Sequence, residues 1–358
     1  MSLPVRLLSF SFAVGLASVA GAQIQLTLPA EFDRAWGSGG TSSAMLGQDS
    51  SRTQMIYVAP FAPGTVVTEF GVRCAPSTID RPSFTATIEI RMSSTAAQPG
   101  ALSATFANNI GNDEVIVLPQ QVVTVPAMPA NRGTGVFATF PLTTPFVFGT
   151  NGNPNICVDF LVHGRSAGAS WATDRAFAGT TGAVRDAGIG CGIGTPGSSS
   201  TAGVGGTYTD GSTVTFTLTG GPPTSLAFLL PSLDMKEFAP GFPLPLPLSV
   251  FGSAANCDLL LNLDFAPMPV ITDAAGNASI SMLFTGFTSF GFGTQWGYFI
   301  PPTAANPFGL EVLRNRYFYV GPRVVVPAAQ YVWDLFDVNA ATGSATTDSV
   351  PIARFTVL

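Results

Sequence analysis

The stretch FTATIEIRM sets Phe84, Ala86, Ile88, Ile90 and Met92 at every second position, with Thr85, Thr87, Glu89 and Arg91 between them. A period of two divides the residues between the two faces of a β-strand, because successive Cβ atoms point to opposite sides of the pleat. STVTFTLTG repeats the pattern, with Val214, Phe216 and Leu218 inward and Thr213, Thr215, Thr217 and Thr219 outward as a solvated hydroxyl row. A one-residue slip would exchange the buried and wet sets, so register is tightly specified. Helix-period segments are scarce, and no repeat of roughly 20–50 residues is present.

Strand patterning fills the rest of the chain. SRTQMIYV precedes TVVTEFGVRC, where Val66, Phe70, Val72 and Cys74 share one face and Glu69 and Arg73 the other. Val115 to Val125 and Val136 to Phe148 are broken by Pro119, Pro141 and Pro145, which restrict them to edges, bends or bulges. ICVDFLVH puts Val158, Phe160 and Val162 on one side, with Cys157, Asp159, Leu161 and His163 on the other. Later come LAFLL, the proline-rich PGFPLPLPLSVFG, CDLLLNLDF, SISMLFTGF after the turn DAAGN, and TQWGYFI. Between the halves lies Gly179 to Gly206, too rich in Gly, Ser and Thr to bury a face of its own. The expected fold is therefore all-β: two β-sandwich or jelly-roll-like domains, 23–187 and 188–358, joined by that Gly/Ser/Thr-rich segment. The second domain is expected to end in a hairpin over 329–358.

The first 22 residues place Arg6 before an apolar run from Leu7 to Ala20 and end in Ala20-Gly21-Ala22. This is the order of a Sec-type signal peptide, too short for the ~20 residues that span a bilayer. Export to the extracellular space or cell surface is expected, with no membrane span. In an oxidising compartment Cys74, Cys157, Cys191 and Cys257, which lack C-x-x-C spacing, read as disulfides rather than zinc ligands. Four cysteines allow three pairings; Cys74–Cys157 and Cys191–Cys257 would each close within one expected domain. An outer-membrane barrel is disfavoured by 29 prolines and by Thr on strand faces that lipid would require to be apolar.

Composition excludes several functions. Fifteen basic against 21 acidic residues give a net charge of −6 with no basic cluster, which disfavours nucleic acid as a partner. Lys236 is the sole lysine, which nearly closes Schiff-base and P-loop chemistry. His163 is the sole histidine, no G-x-S-x-G accompanies it, and an Asp159–His163 contact is its one conceivable catalytic use. Paired carboxylates for glycoside cleavage leave no linear signature; the strand-borne Glu89, Asp159, Asp258 and Asp264 are where such a pair would stand. Calcium is the most suitable ion. Asp337, Asn339 and Asp348 ring the loop DVNAATGSATTD, and NNIGNDE (Asn108 to Glu114) is a second oxygen-rich loop, although Asx residues are also ordinary turn formers. Among Trp36, Trp171, Trp296 and Trp333, Trp171 in SWATDRAF, beside Asp174 and Arg175, is the expected exposed platform for a sugar, while most aromatics must fill cores.

The phrases RTQMIY, LSATFANNIGNDEV, WATDRAF, GCGIG, NCDLLL, ITDAAGNASISM and TQWGYF together resemble a group of uncharacterised exported bacterial proteins with two β domains, over roughly residues 50–320. The resemblance implies export, two sandwich-like domains and a Cys191–Cys257 link; it brings no activity with it. The segment after Arg323 departs from the pattern. The expected function is that of a secreted, non-catalytic binding or structural protein of the cell exterior, glycan-binding or adhesive, with polysaccharide or other surface components as partners. The alternative is a secreted carbohydrate-active enzyme using paired carboxylates.

Overall fold

The computed structural model describes residues 23–37, 45–166, 171–177, 183–201, 208, 211–285, 290–320, 329–346 and 349–358. The leader and Asp348 lie outside them. The N-terminal segment forms β1 (Ile24–Leu28) and a turn of 3-10 helix at Ala30–Phe32. Then come β2 (Ser51–Val58), β3 (Val66–Arg73), β4 (Phe84–Thr95), β5 (Val115–Val125), β6 (Phe137–Val147) and β7 (Asn155–Arg165), followed by the short β8 (Arg175–Phe177). The Gly/Ser/Thr-rich stretch supplies two edge strands, β9 (Ala183–Ala187) and β10 (Thr195–Thr201). Further on are β11 (Thr213–Thr219) and β12 (Leu226–Ser232). The proline-rich region is cut into β13 (Glu237–Ala239), β14 (Phe242–Pro243), β15 (Leu246–Pro247) and β16 (Asp258–Leu259). The chain continues through β17 (Met268–Ile271), β18 (Ala278–Leu283), β19 (Phe290–Phe299) and β20 (Leu310–Val320). It ends with β21 (Ala329–Asp334), β22 (Ser344–Ala345), β23 (Ser349–Pro351) and β24 (Ala353–Val357).

All named pairings are antiparallel. A four-stranded sheet, β1-β24-β3-β6, lies against a six-stranded sheet, β22-β21-β2-β7-β4-β5. Their inner faces meet through Phe70, Phe140, Phe160, Tyr57 and Phe355, with ring centroids 5.8 Å apart for Tyr57–Phe355 and 5.6 Å for Phe140–Phe160. Phe84, Ile88, Ile90 and Met92 are buried as their alternation requires. In β3 the inward residue is Val67, not Val66, because the ladder to β6 shifts register between Val67 and Glu69 and resets the parity.

A second pair of sheets, β10-β11-β18 and β17-β12-β19-β20-β9, encloses Val214, Phe216 and Leu218 against Leu229, Phe292, Trp296 and Phe318. The five-stranded sheet is apolar on both sides. Leu230, Val312, Tyr317 and Tyr319 leave its other face to join the core cluster of the first sheet pair. One hydrophobic cluster therefore crosses from one sheet pair to the other, and a division into two independent domains is not established.

Strand pairings run across the boundary expected at 187/188. β9 belongs to the second sheet system through β20, whereas 329–358 belongs to the first. Only part of that terminal segment is a hairpin: β21 pairs with the short β22 on one side and with β2 on the other, while β24 enters the other sheet between β1 and β3. Ala353, Phe355 and Val357 alternate inward there, filling a place that no strand from the first half occupies.

Cys191 and Cys257 form a disulfide with Cα atoms 4.9 Å apart. The Cys74–Cys157 pairing is not made; both are buried thiols. Cys74 follows β3 directly and lies within the core between the sheets, while Cys157 lies on the opposite face of β7 from the core residues Val158 and Phe160. The β7 layer separates them.

Candidate functional site

The outer face of the six-stranded sheet collects the charges expected of a carboxylate site. Register places Gln54 and Arg91 either side of Asp159, and Arg52 and Glu89 either side of Leu161. Arg52 holds Asp159 with Nε 3.1 Å from both carboxylate oxygens and also donates to the Ala340 carbonyl at 3.0 Å. Its guanidinium lies 4.4 Å from the Phe106 ring centre. Asp159 is thereby roofed, with its side chain 2% exposed. Burial pushes its carboxyl above the ordinary value, opposed by Arg52. Glu89 accepts a hydrogen bond from Arg91 Nε at 2.5 Å. Each acid of this pair thus has its own guanidinium, and Asp159 has no path to a polymer.

The other two strand-borne acids stand elsewhere. Asp258 accepts from Asn131 Nδ2 at 2.6 Å, and Asp264 ties a corner by accepting from Ser232 Oγ and from the Leu233 and Asp234 amides. Asp159 and His163 share a face but are four residues apart along β7, about 13 Å in an extended strand, so the contact that parity allowed is not made. The His163 Nε2 is buried without a hydrogen-bond partner among the described residues.

WATDRAF is the reverse of an exposed platform. Trp171 and Asp174 are fully buried and Arg175 is half-buried. Asp174 binds Arg73, both side chains being 0% exposed, with Nη2 at 2.8 Å and Nε at 2.9 Å, and it also accepts the Gly37 amide at 2.9 Å. Arg73 further donates to the Phe32, Ala35 and Thr134 carbonyls. An ion pair and its carbonyl partners clamp the N-terminal segment onto β3. In the sequence Arg73 falls on the charged face of its strand beside Glu69, and its pairing with Asp174 across 101 residues has no local mark.

The expected calcium loop is built from Asx turns. Asp334 Oδ1 accepts the Phe336 and Asp337 amides, and Asp337 Oδ1 accepts the Asn339 amide. Asp348, the third expected ligand, is outside the described residues. In the Asn108–Glu114 loop Asp113 accepts the Ser94 amide and the Thr150 hydroxyl. Among the described residues no group of three or more His, Cys, Asp or Glu is placed to hold a metal ion.

The seam between β17 and β18, edge strands of facing sheets, was not singled out by sequence reasoning. One end opens into a groove of about 450 Å³ lined by Thr217, Thr219, Asp273, Asn277 and Ser279 together with Val270 and Ile271. The DAAGN turn shapes it: Asp273 Oδ1 accepts the Ala275 and Asn277 amides, each at 2.8 Å, and Asn277 Oδ1 accepts the Gly220 amide. Hydrogen bonds from the Asn277 backbone hold the Asp273 carboxyl below its ordinary value, so it is ionised at neutral pH. The other end is an apolar pocket of about 300 Å³ between Met268, Met282, Phe284 and Phe265. Hydroxyls, an amide and a carboxylate beside exposed aliphatic carbon, Ile271 being 63% exposed, match the mixed polar and C–H surface of a saccharide.

No helix among the described residues is long and apolar enough to cross a membrane. No protein-family model and no curated protein matches the chain. Two solved structures of infectious bursal disease virus proteins align with it: the VP2 subviral particle, at 10% identity and TM-score 0.14 over 94% of this chain and 81% of that one, and the T13 viral particle, at 12% identity and TM-score 0.15 over 94% and 77%. Similarity at that level carries no argument about fold or function.

Proposed function

We propose that the chain is a secreted, non-catalytic binding or structural protein of the cell exterior and that a neutral polysaccharide is its ligand. The carrying observation is the groove at the β17–β18 seam, where Thr217, Thr219, Asn277 and Ser279 supply hydrogen-bonding groups and Val270 and Ile271 supply apolar contact. Its volume lies in the range of small-ligand sites, roughly 300–1,000 Å³. The hydroxyl row of β11 extends the same surface. Export rests on the leader pattern ending at Ala22. The engagement of Glu89, Asp159, Asp258 and Asp264 by internal partners supports binding without turnover.

A polysaccharide array probed with wild type and with the exposed-hydroxyl variant Thr217→Val/Ser279→Ala tests the reading, with reducing-sugar release measured on every bound polymer. Binding that falls at least about tenfold in the variant, close to the 1.4 kcal/mol expected for lost hydroxyl contacts, agrees with it. Unchanged binding in the variant would move the site elsewhere. Sustained release of sugar would replace the reading with the carboxylate enzyme.

A further inference from the structure

β18 is an edge strand without the usual guards against pairing. It is the outer member of β10-β11-β18, and its sequence ASISML contains no proline, no charge and no register shift. Prolines break β5 (Pro119), β6 (Pro141 and Pro145), β10 (Pro196) and β17 (Pro269), and β9 carries Arg185 and Asp186; β1 (IQLTL) is the other edge of at least five residues without such a guard among the described strands. Natural sheets put prolines, charges or bulges at such edges to prevent association.

The parity of the ladder shows which groups are offered. The Phe284 amide donates to the Ser212 carbonyl at 3.0 Å, so even-numbered residues turn their backbone groups towards β11. Ser279, Ser281 and Leu283 therefore present N–H and C=O outward, and among the described residues nothing pairs with them. Their side chains are exposed, Leu283 by 63%, whereas Ala278, Ile280 and Met282 lean into the seam.

We propose that β18 is the contact strand of a twofold dimer, pairing antiparallel with β18 of a second copy about Ser281. Only odd residues can bond across the edge, and a twofold through Ser281 uses all three: Ser281 opposite Ser281, and Ser279 opposite Leu283 in both directions, about six backbone hydrogen bonds in all. Ile280 then faces Met282 of the second copy across the seam, closing its open side with apolar contact on both strands. Charge permits it. β17 and β18 contain no ionisable side chain in a chain of net charge −6, so this edge brings no like charges together where most of the surface would. The two three-stranded sheets become one of six strands.

Sedimentation velocity of the purified full-length protein at micromolar concentration, with two variants, tests it. Wild type is expected to sediment as a dimer. Ser281→Lys, an exposed change that sets two ammonium groups face to face, is expected to sediment as a monomer with an unchanged circular dichroism spectrum. Ser281→Cys is expected to link covalently to its own counterpart in the second copy under mild oxidation, with peptide mass placing the bond between the two introduced thiols, while Ser279→Cys, opposite Leu283, is not. A monomeric wild type, or a dimer that survives Ser281→Lys without the Ser281→Cys cross-link, would overturn the proposal.

Discussion

Replacing Asp174 by Ala leaves the Arg73 guanidinium in a site where its side chain has 0% exposure and no counter-ion. Removing one member of a buried ion pair costs about 3–5 kcal/mol, since the remaining charge stays desolvated. The Gly37 amide loses its acceptor as well, adding about 1–3 kcal/mol. Removing both charges, in Arg73→Met/Asp174→Ala, relieves the stranded cation but leaves the Phe32 and Ala35 carbonyls without the donors they meet at 2.7 and 2.9 Å. The double variant is therefore expected to recover part of the loss and still fall short of wild type by several kcal/mol, roughly 1–3 for each orphaned carbonyl. Urea unfolding of wild type, both single variants and the double variant gives the coupling directly. Amide exchange should report early opening of residues 29–37, the segment those carbonyls anchor. A loss below about 1 kcal/mol for Asp174→Ala is the behaviour of a solvated surface pair and would refute the buried clamp.

The Cys191–Cys257 bond spans 66 residues, which the chain-entropy account converts to about 4 kcal/mol of stability, so Cys257→Ser should lower the urea midpoint by that equivalent. In denaturant without reductant, a thiol reagent should label Cys74 and Cys157 and neither of the other two, with little labelling of the native protein; a third or fourth label would contradict the link. Burial holds the Glu114 carboxyl above its ordinary value of 4.5, so the folded chain takes that proton at higher pH than the unfolded one, and stability falls as pH rises through that window. Glu114→Gln should be the more stable protein at neutral pH, with the advantage gone below about pH 4.5; a less stable variant at neutral pH would mean that attraction to Arg91 outweighs burial.

What was legible in the sequence is what a single strand records. The alternation of Phe84 to Met92 and of Val214 to Leu218 gave the faces correctly, and the prolines at 119, 141 and 145 marked edge strands. Errors entered wherever a second strand decides. The bulge opposite β6 moved Val67 into the place expected of Val66. Parity had already put Cys157 on the Asp159 face and Cys74 on the core face, which argues against their bond, but the preference for closing each pair within a domain overrode it. Trp171, Asp174 and Arg175 looked like a surface constellation because nothing local reveals Arg73 as the buried partner of Asp174. β24 reads as an ordinary alternating strand, and no feature of ARFTV says that it pairs with residues some 290 positions earlier. The groove was missed for a related reason: the DAAGN turn and the Thr row are each commonplace, and only their meeting at the β17–β18 seam makes a concave surface.

The closure of the first sheet pair by the chain's last strands is the premise on which every placement rests, and the fragment 23–187 tests it most directly. Lacking β21 and β24, it loses the strands that flank β2 and separate β1 from β3, and the account predicts a chain without near-UV circular dichroism or dispersed amide resonances. A cooperatively folded fragment with native-like spectra would contradict it.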